Sequence, residues 1–245
     1  SQGVLLAGVA VGISLGCVNI SILMPFVFTL NNTEKFYGAV GSFVLIGLHA
    51  FFIGNEGIVP LNAPGEMVLS FVIILAALSM ILLFKKEDIP SGVPIQEVEG
   101  KAGVPPRVYL TLVFNCIYAV LGKGIGTGIL TVTAEHTTAP VMVWFAAGEL
   151  AGCAIYILIY RFLGRSIHLT WNIVFGCLMM GLLCNAFAPQ SDEAAAAFGA
   201  LLGIGNTVGM INVYYILGVI GKKYDSMRYI RFSILFIGIC GGVAG

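Results

Sequence analysis

The chain has 245 residues, 58% hydrophobic and 10% charged, with a net charge of zero and a mean hydropathy of +0.99. Soluble domains carry about 25% charged residues, so this chain cannot cover a surface that faces water on all sides. The composition excludes an ordinary soluble domain, and the zero net charge gives no electrostatic reason for this segment to contact nucleic acid.

A membrane-spanning helix needs about 20 apolar residues. By that measure the fold class is all-α, a polytopic helical bundle in lipid. Eight spans are predicted, at roughly 3–30, 36–54, 64–84, 108–132, 140–162, 168–187, 194–220 and 229–245. The first has no charged leader region and no cleavage site, so it is not read as a signal peptide. The sequence starts at Ser1 without a methionine, and its last apolar run stops at Gly245 without a flank. A piece cut at both ends is therefore expected. The one long polar stretch, 85–107, mixes charges with Pro90, Pro94, Pro105 and Pro106 and reads as a connector. It divides the chain into residues 1–84 with three helices, the connector, and residues 108–245 with five.

Alternating these spans through a bilayer sorts the basic residues. Lys35, Lys85, Lys86, Lys101, Arg107, Arg161, Arg165, Lys222, Lys223, Arg228 and Arg231 fall on one side, eleven of the twelve. The opposite connections carry Glu56, Glu66, Glu135, Asp192 and Glu193, with no Lys or Arg. The positive-inside rule then places 85–107 in the cytoplasm, and a bacterial cytoplasmic membrane is the expected location. The exception among the basic residues is Lys123.

Gly12 to Asn19 reads GISLGCVN and Gly205 to Asn212 reads GNTVGMIN, both G-x-x-x-G-x-x-N. Aligned at an offset of 193 residues, Gly12 meets Gly205, Gly16 meets Gly209 and Asn19 meets Asn212, while Lys35 meets Arg228 and Phe43 meets Phe236. The two helices run in the same direction, six spans apart, so the offset implies a parallel six-helix repeat. Repeat order, the 85–107 connector and helix direction resemble the major facilitator superfamily, whose halves are parallel repeats. The resemblance implies that this chain holds helices four to eleven of twelve. It also implies that missing helices of the same chain complete the first bundle. The family's basic loop signature has its second-half counterpart near Tyr160 to His168, YRFLGRSIH. Arg161, Gly164 and Arg165 are present there, Tyr160 replaces the acid, and the spacing is off by one.

Charge inside a membrane needs a reason, at roughly 2.5–3.5 kcal/mol per residue on insertion scales. Lys123 and Glu149 lie at equal depth on consecutive antiparallel helices, each about nine residues, roughly 13 Å, below the outer end. Equal depth leads to an expected Lys123–Glu149 pair, either as a substrate-binding or proton-coupling pair or as a static lock between helices; the alternatives are that each snorkels into a wet crevice or that Glu149 pairs with a residue on a missing helix. Glycines at 122, 124, 126, 128, 148 and 152 permit close backbone approach or a helix break. Asn115, Tyr118 and Gly122 share one helix face, which lines a cavity or makes an interhelical hydrogen bond. Asn19 and Asn212 contact solute from the two halves or bond helix to helix. Asn206 lies about 120° around its helix from Asn212. His49 sits deep in the second span, and Trp144 and Trp171 occupy aromatic-belt positions. The six cysteines, 17, 116, 153, 177, 184 and 240, have no metal-ligand spacing and read as small hydrophobes. No cofactor, no metal and no enzymatic residue set is read.

Two functions follow. The first is a secondary active transporter moving a small solute, with protons as the candidate coupling ion. The second is a ligand-sensing membrane domain, since some LuxR-type regulators resemble a facilitator-type bundle followed by a helix-turn-helix domain.

Overall fold

The computed structural model describes residues 23, 26–53, 104–163, 167–224 and 227–244. Most of the predicted span at 3–30, the span at 64–84, most of the 85–107 connector, Asn19 and Cys17 lie outside the described residues. The described residues form helices and no strand. They are α1 (Asn32–Ile53), α2 (Leu110–His136, entered through a 3₁₀ turn at Pro106–Tyr109), α3 (Val141–Phe162), α4 (Ile167–Asn185), α5 (Asp192–Tyr224) and α6 (Met227–Ala244). Four segments, Leu110–His136, Val141–Phe162, His168–Asn185 and Asp192–Tyr224, are long and apolar enough to cross a membrane. They fit an integral membrane protein.

The long helix α5 is the centre of the packing. Its 33 residues extend about 50 Å at 1.5 Å per residue, beyond the roughly 30 Å of a bilayer's hydrocarbon. It outruns the predicted 194–220 at both ends, where a cap at the start and charges that suit the helix dipole at each end support the extra turns. The Ser191 hydroxyl accepts the Ala194 N–H at 3.3 Å, as an N-cap does. Asp192 and Glu193 occupy the first turn and Lys222 and Lys223 the last, matching the signs of the helix dipole. Phe198, Leu202, Val208, Ile211 and Ile216 are buried around several sides of the helix. The neighbours α3 and α4 pack along it most extensively, α1 touches both α3 and α5, and α6 lies against α2.

The start of α1 is a reciprocal cap. Asn31 Oδ1 accepts the Glu34 N–H at 2.9 Å, and Glu34 Oε2 accepts the Asn31 N–H at 2.7 Å, which satisfies two otherwise orphaned donors. Lys35 follows and is fully buried. Its ammonium donates to the Gly218 carbonyl at 2.8 Å, while Lys222 reaches back to the Leu30 carbonyl at 2.9 Å. Next to this junction Phe36 stacks on Tyr160, with ring centroids 3.5 Å apart. Tyr160 is therefore a packing residue between α1 and α3. Two lysines and an aromatic stack thus fasten the same ends of α1, α3 and α5.

The glycine-rich part of α2 widens without breaking. Ala119–Gly126 is π-helical, with i→i+5 hydrogen bonds. Gly122, Gly124 and Gly126 are buried there and Lys123 is exposed.

Candidate functional site

The site is built on glycine contact between α3 and α5. A Cβ on Gly148 would overlap the Ala200 carbonyl oxygen, and one on Gly203 would overlap that of Phe145. A Cβ on Gly199 would lie 2.6 Å from the Val141 oxygen, and one on Gly152 3.1 Å from that of Ile204. Two small-xxx-small spacings, 148/152 and 199/203, therefore face each other and let the backbones touch. Glu149 follows Gly148 directly, so the seam that brings the helices together also carries Glu149 onto α5.

This orientation corrects the expected Lys123–Glu149 pair. Glu149 is buried, and its Oε1 accepts from Asn206 Nδ2 at 3.2 Å. Lys123 stands on the exposed side of the π-helical stretch and forms no ion pair with Glu149. The reason is rotational. Equal depth is a property of residue count, whereas the direction of each side chain is set by the glycine seam in α3 and by the altered twist of the π stretch in α2.

Tyr118 takes the place expected for Lys123. Its hydroxyl donates to the Asn206 backbone oxygen at 2.8 Å and also lies 2.9 Å from Asn206 Oδ1. The buried Tyr118–Asn206–Glu149 chain joins α2, α5 and α3. A carboxylate accepts and a phenol donates, so the Asn206 amide is oriented with its NH₂ to Glu149 and its oxygen to Tyr118. The tyrosine ring fills space left by two glycines. A Cβ on Gly122 would meet it at 2.8 Å, and one on Gly209 would penetrate it. The other glycine of the GNTVG sequence, Gly205, faces α4 instead, where a Cβ would lie 2.9 Å from Leu178. One motif thus serves two neighbours.

Asn212 belongs to a second cluster. Its Oδ1 accepts from Tyr156 of α3 at 2.5 Å and from Thr170 of α4 at 2.9 Å. Among the described residues, its Nδ2, the Oδ1 of Asn115 and the Oγ1 of Thr207 are buried without a hydrogen-bond partner. Asn115 shares the buried face of α2 with Tyr118. The roughly 120° between Asn206 and Asn212 gives the two amides different partners.

The sequence offered no signal for Tyr156 or Thr170, which are ordinary residues for an apolar helix. Asn206 was visible, but only its neighbours make it part of the site. His49 lies on α1, and Asn19 is outside the described residues. Trp144 is exposed, whereas Trp171 is buried, stacked on Phe175 at 5.5 Å and 6.2 Å from Tyr118. Trp171 is therefore a core residue beside the site and not an aromatic-belt anchor. Among the described residues no cluster of three His, Cys, Asp or Glu side chains is placed to hold a metal. Chemically, the site offers one buried carboxyl group, one phenol and one carboxamide that links them. No family model, no curated protein and no solved structure matches this chain.

Proposed function

We propose that this chain is the greater part of a secondary active transporter that moves a small solute by alternating access, with proton coupling through Glu149. In this reading the eight predicted spans are helices four to eleven of a major facilitator-type protein, with 85–107 as the cytoplasmic connector between its two bundles. The observation that carries the reading is the buried carboxyl group of Glu149, bonded by Asn206, which Tyr118 in turn holds, among membrane-type helices. A lipid-embedded acid without a structural ion pair is expensive, and reversible neutralisation is a use that justifies it. An alternating equilibrium biased by that neutralisation is a population shift.

The alternative is the ligand-sensing membrane domain of a LuxR-type regulator. It is favoured by Tyr160, which stands in place of the loop acid and stacks on Phe36. Uptake by the full-length protein in proteoliposomes separates the two. The solute screen is run with and without a pH gradient, on wild type and Glu149→Gln. Gradient-driven uptake that falls about tenfold or more in the variant supports coupling through Glu149. Uptake unchanged by the variant reduces Glu149 to a structural residue. A folded protein that takes up no solute supports the sensor.

A further inference from the structure

We infer that Cys116 and Cys240 form a redox-active dithiol that closes to a reversible disulfide between α2 and α6. The inference is independent of the choice between transporter and sensor.

The two thiols belong to one helix–helix contact. Helix α6 lies against the first turns of α2 and against its π-helical stretch. Near the start of both helices the hydroxyls of Thr111 and Tyr229 are 2.7 Å apart, and the Tyr109 and Tyr229 rings meet edge to face at 5.8 Å. Leu112 of α2 packs in one apolar cluster with Tyr229 and Ile230 of α6. Each cysteine continues the stripe that makes this contact. Cys116 lies one turn beyond Leu112, and Cys240 follows Ser233 and Ile237 at i+7 and i+3. Ser233 is buried, and Ile237 packs on the core. The Cys116 and Cys240 side chains come within hydrogen-bonding reach of each other.

The pair differs from the packing cysteine of the same bundle. Cys153 is buried, with its thiol 4.0 Å from the Val40 carbonyl, and serves as a small hydrophobe. Cys116 and Cys240 are free thiols and only half-buried. Cys116 also sits between Asn115 and Tyr118, so a bond to Cys240 ties α6 to the turn of α2 that carries the site.

The oxidant fitted to this position is a hydroperoxide, which partitions into a bilayer. One sulfur, as thiolate, attacks the terminal peroxide oxygen. The O–O bond breaks, an S–O bond forms, and the thiol proton leaves with the alkoxide as an alcohol, giving a sulfenic acid. The second sulfur then displaces the hydroxyl group, which departs as water with the second thiol proton. An S–S bond forms, and the two electrons lost by the sulfurs have reduced the peroxide. A dithiol reductant reverses the step by exchange.

The test uses the purified, reduced full-length protein in detergent. It is treated with tert-butyl hydroperoxide, blocked with N-ethylmaleimide and digested without reduction for mass spectrometry. The expected product joins the peptides of Cys116 and Cys240, lighter than their sum by the two thiol hydrogens, and dithiothreitol removes it. Phenylarsine oxide, which bridges two adjacent thiols without an oxidant, is expected to shield both cysteines from the maleimide. Cys116→Ala and Cys240→Ala each abolish the cross-link and the shielding. Wild-type elution shows that the variants are folded, and the wild-type peptide assignment needs no variant. Cross-linking only after denaturation overturns the inference. So does dominant pairing of either residue with another cysteine, or sulfinic acid on them in place of the disulfide. Failure of the arsenical to shield the pair overturns it as well.

Discussion

Tyr118 shows how much a single side chain connects. Its ring occupies the space over Gly122 and Gly209, and its hydroxyl holds Asn206 in the orientation that presents an NH₂ to Glu149. Tyr118→Phe keeps the ring and removes the donor. The expected loss is about 1 kcal/mol of stability, the net worth of a typical hydrogen bond, with a larger effect on any Glu149-dependent uptake. Thermal melts in detergent read the first and proteoliposome uptake the second. A fall of several kcal/mol would mean that the ring packing had also been lost. Lys35, just before the span predicted at 36–54, gives a second test at this scale. Burial, and then the nearby Lys222 ammonium, lower its pKa from 10.5 to about 8. Between those values the unfolded chain holds a proton that the folded chain has released. Stability therefore rises as the pH climbs from about 8 to 10.5. Melting at stepped pH shows the rise, and Lys35→Met flattens it.

Among the elements, the α3–α5 seam is the most exacting. Gly203→Ala places a methyl group against the Phe145 carbonyl, and backbone cannot swing aside as a side chain can. The helices must separate, with an expected cost at or above the 1–3 kcal/mol typical of overpacking. Gly176→Ala in α4 is the contrasting case, because nothing lies within 4 Å of the added Cβ. It is expected to be neutral or stabilising by up to about 1 kcal/mol, the difference in helix propensity. Equal losses in the two variants, measured by melting, would show that glycine content and not the seam matters. The 148/152 spacing could be read in the sequence as a close-packing signal, but its partner could not. Gly148 and Gly152 serve α5 equally well as a helix adjacent in sequence, and only the assembled bundle chooses. The π-helical stretch was similarly half legible. Three alternating glycines marked Gly122–Gly126 as unusual; a widened turn that presents Lys123 outward was not implied by them.

For the whole molecule, charge asymmetry makes a prediction independent of the site. Glu193 and Lys223 lie at opposite ends of α5. In a cysteine-free background, Glu193→Cys is expected to react with an impermeant thiol reagent added to intact cells. Lys223→Cys is expected to react only after permeabilisation. Labelling of both from outside would sink the positive-inside orientation and with it the cytoplasmic placement of the 85–107 connector. The sequence by itself determined that this is an all-helical chain for lipid. Hydropathy and helix length are sums over local residues; a bilayer admits only helices and closed barrels, and continuous apolar runs of about 20 residues fit helices. It also singled out Glu149 and Lys123, since charge in an apolar run is visible without a fold. Only the tertiary structure decided that the two stand apart and that Glu149 turns to Asn206, which Tyr118 holds. It likewise buried Lys35 and Trp171, which the sequence had placed near the membrane surface. Depth follows from counting residues along one helix. Which side chains meet depends on how each helix is rotated, and that rotation is fixed by contacts between glycines far apart in the chain.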